Sequence, residues 1–164
     1  MRLIVKSAIA TFALDQLSKV AVLHVLDLGH RQEIGVLPPF LNFRMAWNEG
    51  INFGLFAQSH DLGRWLLILL ALAISLWIWR WVRKEPDNGR VQIAGGLLIG
   101  GALGNVVDRI VYGAVADFIN MGLPGFDNPF SFNLADVAIF LGALGLVAFS
   151  RQDRPARTGR DKTP

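Results

Sequence analysis

Cysteine is absent from this chain of 164 residues, which removes disulfides, thiol nucleophiles and thiolate metal ligands together. Histidine is scarce: His24, His30 and His60 are the only three, and none stands four residues from another as a metal-binding helix pair would. A zinc site is therefore not expected, and neither is a cofactor. There is no Gly-x-Ser-x-Gly elbow. Ser18 and Lys19 are adjacent, but sequence neighbours do not face each other on a helix, so a serine–lysine pair has no framework. Charge is sparse as well. Asp, Glu, Lys and Arg make up 18% of the residues against 52% that are apolar, and mean hydropathy is positive, unlike an ordinary soluble protein.

What the chain has instead is long apolar runs, within a length that suits one domain. A helix needs about 20 mostly apolar residues to cross the hydrocarbon of a bilayer. Four stretches approach this, at 5–26, 63–82, 91–112 and 132–150. The second has no charge between Arg64 and Arg80, and Trp65, Trp77, Trp79 and Trp81 fall near its ends, as interfacial aromatic belts do. The first begins like a secretory signal, with Arg2 and Lys6 ahead of an apolar run. However, Asp15, Gln16 and Lys19 interrupt it and no small-x-small cleavage site follows, so it is expected to be retained.

The net charge of +3 matters through its distribution. Arg2, Lys6, Arg80, Arg83, Lys84, Arg90, Arg151, Arg154, Arg157, Arg160 and Lys162 all fall on one side of a four-crossing topology. The other side, residues 27–62 and 113–131, carries only Arg31 and Arg44, with Arg64 at its border. A nucleic-acid binder would gather its basic residues on one folded face, so no nucleic-acid partner is expected. The positive-inside rule puts both termini in the cytoplasm and both outer loops outside. Residues 1–150 are expected to form one integral-membrane unit, with a disordered basic tail at 151–164.

Two features suggest how the elements pack. Gly96, Gly100 and Gly104 recur every fourth position, a small-residue stripe that lets helices approach closely. In the first outer loop Leu41, Phe43, Met45 and Trp47 alternate with Asn42, Arg44, Ala46 and Asn48, the period of a half-buried strand. A turn at 48–50 would return this strand into residues 51–56, giving a small sheet on the membrane surface.

Polar residues inside apolar helices are expensive, about 2.5–3.5 kcal/mol for an Asp, Lys or Arg at a helix centre. They persist when they pair, face a bundle interior or do chemistry. Asp15 and Lys19 stand four apart, so they share a face and are expected to form an internal ion pair. Asn105, Asp108 and Arg109 lie together at the outer end of the third stretch, where a polar network would hold whatever lies above it. The third cluster is Asp117 with Asp136. Singly, each has a plain explanation: Asn133 is a good N-cap with Asp136 at the capping-box position, and Asp117 would be a loop carboxylate in water. Jointly they emerge at the same surface from helices joined by a short loop. Two carboxylates brought close share a proton, which suits the activation of water on a peptide carbonyl.

The motifs "DQLSK" at 15–19, "NEGINF" at 48–53, "GGALGNVVDR" at 100–109, "VADF" at 115–118 and "FNLAD" at 132–136 resemble those of the lipoprotein signal peptidases, also called signal peptidase II. The resemblance covers about residues 4–150 in order and spacing. It implies a monomeric aspartic endopeptidase of the bacterial inner membrane, with four transmembrane helices and a small extracytoplasmic sheet cradling substrate. Such an enzyme removes the signal peptide from a prolipoprotein, cutting just before a cysteine that carries diacylglyceryl, and is blocked by globomycin-type cyclic peptides. Asp117 and Asp136 match the catalytic pair. Asp15, Lys19, Asn48, Gly50, Asn105, Asp108, Arg109, Asn133 and Ala135 match its supporting and substrate-contacting positions. Asn52 departs from the small apolar residue many members carry there. The competing expectation is a small proton-coupled transporter or conducting subunit, with Asp15, Lys19, Asp108 and Arg109 as its relay.

Overall fold

The computed structural model describes residues 2–50 and 60–150. The chain runs through α1 (Arg2–Val20), a wider π-helical turn (Ala21–Val25), a short α2 (Leu28–Arg31), β1 (Glu33–Leu37), β2 (Leu41–Asn48), α3 (His60–Val82), α4 (Gly89–Val111), β3 (Val115–Asn120), β4 (Ser131–Phe132) and α5 (Leu134–Phe149). Among the described residues three helical stretches, Arg2–Val25, Leu62–Val82 and Gly89–Val111, are long and apolar enough to cross a membrane. The fourth stretch forms a shorter helix. α5 has 16 residues, about 24 Å at 1.5 Å per residue, against about 30 Å of hydrocarbon. Its start is set by Asn133, whose side chain caps the helix, while Ser131–Phe132 pair with β3 instead of extending it.

α4 is the central helix, packed against α1, α3 and α5. Its glycines explain how. A Cβ on Gly96 would meet the Ile4 carbonyl oxygen of α1 at 2.6 Å, and one on Gly101 would meet the Ala135 carbonyl oxygen of α5 at 2.6 Å. On α5, a Cβ at Gly142 would meet the Ala94 carbonyl oxygen at 2.7 Å. The helix backbones therefore touch with only hydrogen between them, as small-residue interfaces permit. Gly104 lies against the Asp15 side chain, so the last glycine of the stripe makes room for a carboxylate. One end of the bundle is apolar, built from Ile4, Ile78, Val82, Val91, Leu98 and Leu146. The buried charged residues, Asp15, Lys19, Asp108 and Asp117, collect at the other end, where the sheet is.

That sheet is antiparallel, in the order β1-β2-β3-β4. Phe43 and Met45 of β2 pack with Val22, Leu28 and Phe118, and the Phe43 and Phe118 rings meet edge-on at 5.8 Å. The alternation in 41–48 thus marks a real strand, but its partners are β1 and β3. The sheet draws on both the segment before α3 and the segment between α4 and α5, rather than on the first alone. The strand expected at 51–56 and the position of Asn52 lie outside the described residues, as does the tail at 151–164.

Candidate active site

Asp117 sits in β3, opposite Ala46 of β2, while Asn48 lies opposite Val115. Side chains two apart in a strand share a face, so Asn48 is the diagonal neighbour of Asp117 and donates from Nδ2 to its Oδ2 at 3.1 Å. Gly50 sets that amide's orientation. Its N–H donates to Asn48 Oδ1 at 3.0 Å, which leaves the NH2 end turned to the acid. The turn needs φ of +97° at Gly50, a conformation open to glycine and strained for other residues.

At the start of α5 a capping box forms. Asn133 Oδ1 accepts from the Asp136 N–H at 2.9 Å, and Asp136 Oδ2 accepts from the Asn133 N–H at 3.3 Å. The same Asn133 side chain donates from Nδ2 to Asp117 Oδ1 at 2.6 Å. One amide therefore touches both acid-bearing residues. The remaining Asp136 oxygen, Oδ1, accepts from Asn105 Nδ2 at 3.0 Å. Asn105 Oδ1 in turn accepts from Lys19 Nζ at 3.1 Å and from Asn133 Nδ2 at 3.4 Å.

Below lies the ionic layer. Lys19 Nζ is 2.8 Å from Asp15 Oδ2 and 2.8 Å from Asp108 Oδ2, and all three side chains are buried. Each carboxylate also holds backbone of an acid-bearing element. Asp15 Oδ1 accepts from the Ala135 N–H at 2.9 Å, at the first turn of α5. Asp108 Oδ2 accepts from the Ala116 N–H at 3.2 Å, one residue before Asp117. Arg109 donates from Nη1 to the Asn105 carbonyl at 3.3 Å. Its charge lies close enough to act on Asp117, Asp136 and Asp108, while its buried Nε has no hydrogen-bond partner among the described residues.

Asp117 is 3% exposed. Burial, and then the negative charge of Asp136, push its carboxyl up from 3.8 to about 6, against the opposing hydrogen bonds from Asn48 and Asn133. Mutual repulsion of this kind is how an acid pair comes to hold one proton between two members.

The structure brings Asp15, Lys19, Asn48, Gly50, Asn105, Asp108, Arg109, Asn133, Ala135, Asp117 and Asp136 into one connected cluster. The plain explanations of the sequence hold alongside it: the ion pair, the polar network and the capping box all form, and they are the scaffold. Asp117 differs from its plain explanation, since it is buried in a strand and not a loop carboxylate in water. Gln16 joins unannounced. Its Nε2 reaches Asp108 Oδ1 at 3.1 Å, Asp15 Oδ2 at 3.2 Å and the Gly104 carbonyl at 3.3 Å. Its place between Asp15 and Lys19 was the only sequence signal.

Comparison with known proteins bears on this geometry. Residues 7–151 match the family model described as signal peptidase (SPase) II. A lipoprotein signal peptidase of Methylobacterium sp. (strain 4-46) is 40% identical over 86% of this chain and 84% of its own. One from Aeromonas hydrophila subsp. hydrophila is 42% identical over 85% of this chain and 83% of its own. Two bacterial membrane enzymes solved by the in meso method, at 2.3 and 1.9 Å resolution, superpose with TM-scores of 0.74 and 0.76. They are 25% and 26% identical, covering 99% and 93% of this chain and 96% and 95% of their own. With its apolar helices, small antiparallel sheet and buried acid cluster, this membrane-embedded chain belongs to the signal peptidase II family.

Proposed function

We propose that the protein is an aspartic endopeptidase that removes the signal peptide from diacylglyceryl-modified prolipoproteins, cutting just before the lipidated cysteine. The observation that carries the reading is Asn133, whose side chain is hydrogen-bonded at once to Asp117 and to the N–H of Asp136. Asp136, held by Asn105 and the Asn133 N–H, takes a proton from water as that water attacks the scissile carbonyl. Asp117, which keeps its proton up to about pH 6, donates to the carbonyl oxygen. Collapse of the tetrahedral intermediate passes a proton to the leaving amine and restores the pair.

In this reading α5 is the fourth crossing, both termini are cytoplasmic and the sheet lies outside the bacterial inner membrane. The asymmetry of basic residues supports that orientation. A lipidated substrate keeps its scissile bond near the outer interface, where an acid at the mouth of a membrane helix meets both peptide and water. Residues 1–150 act as one unit, working as a monomer, and 151–164 form a cytoplasmic tail. The transporter reading has less support. Asp15, Lys19 and Asp108 close on one another, and the bundle beyond them is packed with aliphatic side chains in place of a continuing relay.

The test is cleavage of a lipidated precursor by purified Asp117→Asn and Asp136→Asn in detergent. Each is expected to insert and fold yet lose all turnover. Full activity in either variant would overturn the acid pair.

A further inference from the structure

Gln16 is the one member of the buried cluster with no part in the mechanism above, yet it meets the ionic layer at three points. Its amide nitrogen carries two hydrogens and lies 3.1 Å from Asp108 Oδ1, 3.2 Å from Asp15 Oδ2 and 3.3 Å from the Gly104 carbonyl oxygen. The carbonyl belongs to the backbone of α4, so the amide is anchored to a rigid helix. Gly104 packs against the Asp15 side chain, and this close approach of α1 to α4 brings the carbonyl within reach of Gln16. Asp15, Lys19 and Asp108 are buried, whereas Gln16 is half-buried. Its amide therefore stands at the edge of the layer.

Charge alone does not hold the two carboxylates in one orientation. Lys19 lies 2.8 Å from one oxygen of each, and an ammonium acts as a point charge that leaves the carboxylate plane free to turn. Gln16 supplies the second constraint. On Asp108 it holds Oδ1, while Oδ2 takes Lys19 and the Ala116 N–H. On Asp15 it shares Oδ2 with Lys19, while Oδ1 takes the Ala135 N–H. Ala116 comes one residue before Asp117, and Ala135 one residue before Asp136. A single neutral amide thus contacts both carboxylates that carry the backbone leading into the two acids. It adds donors to the layer without adding charge.

We infer that Gln16 is a positioning residue for the hydrolysis, setting the spacing of the two acids by bridging Asp108 to Asp15. The inference rests on the reading of Asp117 and Asp136 as the catalytic pair. Groups that react must be held by neighbours whose own rotamers are locked by hydrogen bonds, and Gln16 locks the carboxylates that do the holding. It acts through them and meets no substrate atom in this role. Its loss should accordingly lower kcat and leave KM in place.

The test uses the full chain purified in detergent, with kcat and KM for a lipidated precursor measured per folded molecule and the melting point recorded beside them. Gln16→Met keeps the length of the side chain and suits an apolar helix, but removes the donors. Gln16→Asn keeps the amide and shortens its reach by a methylene. Both are expected to fold with kcat lowered about tenfold, the scale on which small misplacements act, and with KM within about twofold of the parent. Parental kcat in Gln16→Met, with or without a lowered melting point, would assign Gln16 to the fold alone and overturn the inference. A raised KM at parental kcat would place Gln16 against substrate and overturn it too. Parental kcat in Gln16→Asn would show that polarity at this position matters and reach does not, with the same consequence. Asp117→Asn in the same assay separates the two levels. If it turns over, the acid pair itself fails; if it is dead while the Gln16 variants match the parent, only the positioning role fails.

Discussion

A single amide, that of Asn133, caps a helix with its oxygen and holds an acid of a different element with its nitrogen. At this scale the site is a set of orientations, and each has a testable cost. The carboxyl of Asp117 ordinarily titrates near 3.8 and here near 6. A carboxyl that holds its proton more tightly when folded contributes stability fully present below its unfolded value and lost as pH rises through its folded value. Carrying the ionised form at neutral pH therefore costs about 3 kcal/mol. Asp117→Asn removes that charge, so its thermal midpoint relative to the parent is expected to move in its favour between pH 4 and pH 8. A difference independent of pH would mean that burial and Asp136 do not act on Asp117 as described. Gly50→Ala tests the other orientation. Its φ of +97° and the Leu67 side chain beside it leave no room for a methyl group, at a cost of about 1–3 kcal/mol. With the turn disturbed, the Asn48 amide loses its alignment on Asp117. Precursor cleavage is expected to fall about tenfold, equivalent to about 1.4 kcal/mol in the barrier. A variant with a lowered melting point and unchanged kcat would show that Gly50 serves only the fold.

Between elements, Lys19 is the tie. It bridges α1 to α4 through Asp15 and Asp108, while those two carboxylates hold the first turn of α5 and the strand before Asp117. Lys19→Met leaves two buried carboxylates uncompensated, which typically costs about 3–5 kcal/mol. The expected result is loss of folded protein in detergent, read by thermal denaturation, rather than loss of turnover alone. Element by element, legibility in the sequence varied with pattern. β2 was readable because half-burial made it alternate. β3 was not, since five of the six residues of Val115–Asn120 are buried, and burial on both faces erases the alternation that marks a strand. The beginning of α5 was readable from Asn133 and Asp136, because a capping box is a contact within one turn. Gln16 was seen only as an interruption, since its acceptors on α4 are not its sequence neighbours.

The whole molecule sets an apolar bundle beneath a polar layer, with a sheet above. Under the proposed function an inhibitor of the globomycin type binds the folded site and not the unfolded chain, so it should raise the melting temperature. At a hundred times its dissociation constant the gain is about 2.7 kcal/mol. No shift with the parent protein would count against a pocket shared with the family. The sequence by itself determined what acts over one or two turns of chain: apolar helices, the Asp15–Lys19 pair four residues apart and the cap at Asn133. Only the tertiary structure decided that Asn48 would reach Asp117 from 69 positions away, that Lys19 would serve Asp108 as well as Asp15, and that Asn133 would join the two acids. Helix geometry dictates the first kind of contact from spacing alone. The second exists only once glycines have let α4 close on its neighbours and β3 has found its place beside β2.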